Sequence, residues 1–221
     1  MLLIYVLIAY LLIPFIWRWV SRHRHPALDQ APRVSLTHDG IPGDPLNLSI
    51  ISTEATLKKA MLAAGWRQAD AISLRTSLQI AADSLLRRSD ETAPVSNLFV
   101  WGRKQDLAFE QQVGHDPRKR HHVRFWRSAQ LDEHAMPLWI GGATFDTKVG
   151  LSHTTGQITH HISPDVNVER DKVLGDLKQA GVIEELSWEE GFQPKLEGRN
   201  GGGDSYHTDG RLPVVVLKDE R

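Results

Sequence analysis

The chain has 221 residues, with 26 Lys and Arg against 27 Asp and Glu, so its formal net charge is −1. A balance this close gives no footing for a large nucleic-acid interface, and no nucleic acid is expected as a partner. The absence of cysteine excludes a thiol nucleophile, and roughly two hundred residues beyond the apolar N-terminus make one domain the default.

Met1–Val20 (MLLIYVLIAYLLIPFIWRWV) carries no charge before Arg18. A helix rising about 1.5 Å per residue would carry this run across about 30 Å, the hydrocarbon thickness of a bilayer. Trp17 and Trp19 fall where interfacial aromatics belong, and Arg18 can reach the headgroups. Pro14 would kink such a helix, which membrane spans tolerate. A cleaved signal peptide wants a basic start and a small-residue cleavage site, and neither is present. Residues 1–20 are therefore predicted to be a transmembrane anchor, making this a single-pass membrane protein with the bilayer as its first partner.

Arg18, Arg22, Arg24 and Arg33 crowd the far flank, with only Asp29 opposing them. The positive-inside rule places everything after the anchor in the cytoplasm. The same basic flank could touch anionic headgroups at about 1 kcal/mol per cation, although a plain topology signal accounts for it as well. Residues 21–43 hold Pro26, Pro32, Gly40, Pro42 and Gly43 without an apolar period. They read as a linker, and a coil of about 25 residues has an r.m.s. reach of about 25–30 Å. The folded domain is expected over 44–221.

Leu46, Leu48 and Ile50 alternate like a short strand. Thr53 can cap a helix carrying Leu57, Met61 and Ala64, ended by Gly65. A second helix is predicted from Ser73 through Leu74, Leu78, Ala81 and Leu85. Beyond Pro94 the texture becomes strand-like over Leu98–Trp101, Leu107–Gln112, His121–Arg127, Leu138–Phe145 and Gln157–Ile162. A third helix over Asn167–Ala180 would bury Val173, Leu174 and Leu177 and stop at Gly181. Val182–Trp188, a glycine-rich loop and Leu212–Leu217 complete the chain. Helices set outside a run of strands indicate an α+β domain on a mainly antiparallel sheet with about three helices.

Three constellations carry chemical potential. In Arg118–Trp126 (RKRHHVRFW) strand alternation puts His121, Val123 and Phe125 on one face. His122, Arg124 and Trp126 share the other, where His122 and Arg124 form an anion-binding pair or a solvated strand entrance. In Thr159–Asp165 (THHISPD) and onward to Asn167, Glu169, Arg170 and Asp171, the acids suit a first helical turn. With the two histidine pairs they also supply ligands for a divalent metal, zinc or manganese. A structural polar network is the third option there. Gly198–Arg211 (GRNGGGDSYHTDGR) can turn backbone N–H groups toward an anion, lacks the Gly-Lys-Ser/Thr ending of a P-loop, and does not match EF-hand calcium spacing through Asn200, Asp204 and Asp209. A flexible connection closed by an Asp-Gly turn explains it equally.

These blocks, together with SNLFVWGRKQDLAFEQ (96–111) and LWIGGATFD (138–146), resemble the LssY C-terminal domain family over most of residues 44–218. In that family the domain often follows membrane segments, including DedA-type and type-2 phosphatidic-acid-phosphatase modules. The resemblance implies a membrane-proximal role near lipid or envelope metabolism and names no activity. No phosphatase module accompanies the single anchor here, so no lipid-phosphatase activity carries over.

Two functional readings follow. In the first, a membrane-tethered binding or accessory module at the cytoplasmic face presents Arg103, His122, Arg124, His161 and Arg170 to a phosphorylated or otherwise anionic ligand. In the second, a metal-dependent hydrolase of a phosphoester holds its metal with His122, His161 and Asp165. There Glu169 is the general base and Arg124 neutralises charge. Whether the glycine-rich loop joins the histidine strands is left to the fold.

Overall fold

The computed structural model describes residues 2–16, 26–69, 98–114, 119–132, 135–154 and 158–219. Among these, α1 (Leu2–Leu7) continues into a π-helical turn, Ile8–Leu12. No helix among the described residues is long and apolar enough to cross a membrane. Residues 17–25, which include the interfacial tryptophans of the expected anchor, lie outside the described set, as does the helix expected from Ser73.

From Pro26 the chain is folded, so most of the expected linker belongs to the domain. Helix α2 (Pro26–Asp29) precedes β1 (Val34–Leu36) and β2 (Pro42–Pro45). Leu28 and Ala31 are buried in a core cluster. The prolines misled the reading because Pro42 and Pro45 end an edge strand, where a missing N–H breaks no ladder.

Next come β3 (Leu48–Ile51), α3 (Glu54–Ala63), β4 (Arg67–Gln68), β5 (Phe99–Val100), β6 (Arg103–Lys104) and β7 (Leu107–Gln112). The long β8 (Arg120–Leu131) and β9 (Pro137–Leu151) form the central hairpin, followed by β10 (Ile158–Ile162) and α4 (Val166–Gln179). The chain closes with β11 (Ile183–Glu189), β12 (Glu197–Arg199), β13 (Ser205–His207) and β14 (Leu212–Leu217). The predicted caps are present. The Thr53 side chain accepts from Thr56 N at the start of α3, and Gly65 and Gly181 follow α3 and α4 with positive φ.

The main sheet has the order β11-β14-β3-β9-β8-β7-β4, with β10 also paired to β9. Its pairings are antiparallel except β14 with β3. The fold is thus α+β on a mainly antiparallel sheet, as the pattern of elements predicts. Helices α3 and α4 pack Leu57, Met61, Val173 and Leu177 against one face, which supplies Leu48, Ile50, Phe109, Val123, Phe125 and Val215. The opposite face carries Trp126, Leu138, Ile140 and Val214 under α2 and the small sheet β2-β1-β5-β6. A large apolar side chain fully buried in such layers contributes about 1.5–3 kcal/mol. Both faces of β8 are therefore covered, and that decides the fate of its charged residues.

Candidate functional site

Strand register lines up the polar residues of β7, β8 and β9 on the face away from α3 and α4. Glu110, His122 and Thr144 form one row, and Gln112, Arg120 and Asp146 the next. In the third row Arg124 stands opposite Gly142. A Cβ at Gly142 would lie 3.0 Å from the Pro45 carbonyl oxygen, so this glycine lets β2 approach closely enough to deliver Asp44.

The result is a buried ionic network. Arg124 Nη1 donates to Asp44 Oδ2 at 2.8 Å. Arg120 reaches Glu110 at 3.2 Å, Asp146 at 3.3 Å and His160 Nε2 at 3.0 Å. His122 has Nε2 at 2.5 Å from Thr144 Oγ1 and Nδ1 at 3.1 Å from Asp146 Oδ2. Asp44, Arg120, His122, Arg124 and Asp146 are each less than a tenth exposed.

Three carboxylates here face two guanidinium groups. Burial opposes charge on His122, but the Asp146 carboxylate and hydrogen bonding to Asp146 and Asp44 outweigh it and the nearby Arg124. The ring's pKa is raised, which favours a third positive charge in the network. Burial likewise opposes ionisation of Asp44 and Asp146, yet His122 and the arginines hold both carboxyls below their usual range. His160 behaves oppositely: burial, reinforced by Arg120, pushes it down to about 4 despite Asp146. His122 and Arg124 do project together, as alternation predicts. The anions they meet are the protein's own Asp44 and Asp146.

The remaining expected residues occupy separate settings. Glu169, 2 % exposed, accepts at Oε2 from His121 Nδ1 at 2.7 Å, and His121 packs against Phe145 and Trp66. Asp165 caps α4 by accepting from Asn167 N at 3.0 Å and lies 3.4 Å from His207. Arg170 clamps the Asp-Gly turn through a bidentate pair with Asp209 at 2.7 and 3.0 Å, with Asp171 at 2.8 Å and the Trp188 ring beneath it.

His161 faces Asp204, 2.7 Å from its Nδ1, with His153 alongside. The glycine-rich segment therefore does join a histidine strand, but at His161 and not at His122. His122, His161 and Asp165 do not form a ligand group. Among the described residues, the set of three whose ligand atoms lie within 4.8 Å of one another is His153, His161 and Asp204.

Arg103 lies at the other end of the β8–β9 hairpin. It pairs with Asp106 and donates to the Arg127 carbonyl. With Gln30, Trp101, Asp106, Arg127, Gln130 and others it lines a pocket of about 780 Å³. Trp101 sits in the turn between β5 and β6 with φ +53° and is 42 % exposed. Sequence reasoning missed Asp44, Asp146, Arg127 and His153. Asp146 and Trp101 do stand inside the sequence blocks that carry the resemblance.

A three-layer α+β domain with an internally compensated ionic network, an open pocket and a histidine–carboxylate cluster defines the class of protein. The particular family follows from sequence: the family model described as LssY C-terminus matches residues 28–212, and the chain belongs to that family. The matched range begins inside α2, in keeping with a domain that starts before Asp44. No curated protein and no solved structure matches the chain.

Proposed function

We propose that the chain is a membrane-tethered ligand-binding module whose seat is the pocket beneath Trp101, and that its ligand combines an anionic group with an apolar portion. Trp101 carries this reading. A tryptophan in left-handed backbone is strained, and its exposed ring stands at the lip of a cavity of about 780 Å³. The two acids in the lining are already engaged, Glu54 with Lys58 and Asp106 with Arg103. The Arg127 guanidinium has no acidic partner among the described residues, so the uncompensated charge of the lining is positive.

The pocket also lies close to where the chain enters the domain, since Gln30 lines it. The five residues between Val20 and Pro26 span at most about 18 Å. An anchor over 1–20, oriented by its basic flank with the domain in the cytoplasm, keeps the pocket within reach of the headgroups. A phosphorylated lipid or a soluble phosphoester has the required chemistry. The hydrolase reading gains no support from its expected ligands, which occupy separate settings.

The test is tryptophan fluorescence of the full-length chain in detergent, titrated with lysophosphatidic acid and separately with glycerol 3-phosphate. Saturable quenching that is lost in Arg127→Gln and Trp101→Phe supports the reading. Quenching by the lipid alone assigns the apolar portion to a chain, whereas quenching by both assigns recognition to the phosphate. Absence of binding, or binding unchanged in Arg127→Gln, overturns it. Alkaline carbonate extraction of membranes tests the tether separately.

A further inference from the structure

We propose that His153, His161 and Asp204 bind one divalent transition-metal ion, zinc by preference, which pins the β12–β13 hairpin to the β9–β10 hairpin. The site lies at the opposite end of the β8–β9 hairpin from the Trp101 pocket and does not depend on it. One potential ligand atom from each residue lies within 4.8 Å of the others. Two imidazoles and one carboxylate, with no thiolate, form the donor set of zinc and its neighbours. Magnesium and calcium prefer oxygen ligands throughout. Three protein ligands leave a fourth position to solvent.

The ligands are held before any ion arrives. Asp204 Oδ2 accepts from Ile162 N at 3.1 Å, and Asp204 N donates to Asn200 Oδ1 at 2.9 Å. His161 is 5 % exposed and meets Asp204 Oδ1 through Nδ1 at 2.7 Å. Outer hydrogen bonds of this kind orient metal ligands. The two hairpins already touch, with His153 N donating to Gly202 O at 2.9 Å. A Cβ at Gly150 would stand 2.7 Å from His161 Nε2, so glycine makes room for the ring, whose other nitrogen, Nδ1, is the one turned to Asp204 and offered to the ion. Of the nearby cations, Arg199 is turned to the Gly203 carbonyl at 3.3 Å. Lys148 stands opposite His161 in the strand register. These two charges oppose any cation beside a single carboxylate, so the site requires an ion that bonds strongly to imidazole.

The experiment is isothermal titration of zinc into the full-length, untagged chain after chelator treatment, with limited proteolysis of the segment 199–203 alongside. The expected result is one zinc per chain, weakened at least about tenfold in both His153→Ala and Asp204→Asn. His153 is exposed, so its removal leaves the core packing intact. Zinc should slow cleavage of the segment in the native chain and not in the variants. His207→Ala, which removes a half-exposed histidine elsewhere, should titrate like the native chain. No saturable zinc, equal affinity in the variants, an equal loss in His207→Ala, or zinc binding without slower cleavage each overturns the proposal.

Discussion

Arg124 and Asp44 meet at 2.8 Å inside the domain although eighty residues separate them in the chain. The pair joins the central strand β8 to the edge strand β2, and both side chains are buried. Removing one partner leaves an unpaired charge in low dielectric, which costs about 3–5 kcal/mol. Arg124→Ala is expected to lose stability on that scale in urea unfolding of the full chain. Arg124→Met combined with Asp44→Asn should recover part of the loss, because the uncompensated carboxylate is then gone.

Acid sensitivity should trace to His160. Its folded pKa is held down to about 4, against about 6.5 in the unfolded chain. The unfolded state therefore takes up a proton that the folded state refuses, and stability falls as pH drops from about 6.5 toward 4. The depressed carboxyls of Asp44 and Asp146 extend the loss to lower pH, below about 3.9. His122 works the other way. Its raised pKa contributes stability that is full below about 6.5 and fades as pH rises through the folded value. Unfolding free energy measured against pH should lose up to about 3 kcal/mol of its acid slope in His160→Gln. His122→Gln should remove the decline on the alkaline side. Parallel profiles for native and variant chains contradict this assignment.

Arg170→Lys is expected to cost about 1–3 kcal/mol despite keeping the charge. An ammonium group cannot reproduce the bidentate contact with Asp209 while also serving Asp171 and lying against the Trp188 ring. Thermal unfolding should show the loss, with quenching at the Trp101 pocket unchanged.

Trp101→Asn should stabilise the chain and abolish ligand binding together. Trp101 and Gly102 both have positive φ in the turn between β5 and β6, and Asn-Gly is the sequence such two-residue turns prefer. Relief of strain should contribute about 1 kcal/mol. A variant less stable than the native chain would contradict the strain assignment.

Much of the fold was legible because it rests on local signals. Leu107–Gln112 and Leu212–Leu217 coincide with their strands. The α4 helix begins one residue before its expected Asn167 and ends one before Ala180. Alternation along β8 correctly separated Val123 and Phe125 from His122 and Arg124.

The chemistry of the β8 residues was not legible, because it depends on what lies across the sheet. Nothing in RKRHHVRFW announces that a second layer covers the His122 face, or that Asp44, at the very start of the expected domain, supplies its counter-charge. Arg170 was expected to meet an anionic ligand and Glu169 to act as a general base. Burial instead turned them into a turn clamp and a histidine partner. The pairing of His161 with Asp204 joins segments about forty residues apart, and a loop whose conformation comes from glycine leaves no periodicity to read.

The parallel seating of β14 beside β3 has a consequence for synthesis on the ribosome. Ile50 emerges early, yet its neighbour Val215 is made only after every other strand of the sheet. Throughout translation β3 therefore keeps one edge unpaired beside the apolar Leu48 and Ile50, and an open edge of this kind is a template for pairing with another nascent chain. Release of a product truncated before Leu212 would leave that edge permanently open. Quality control in the cell should thus discriminate sharply against products that stop just before β14.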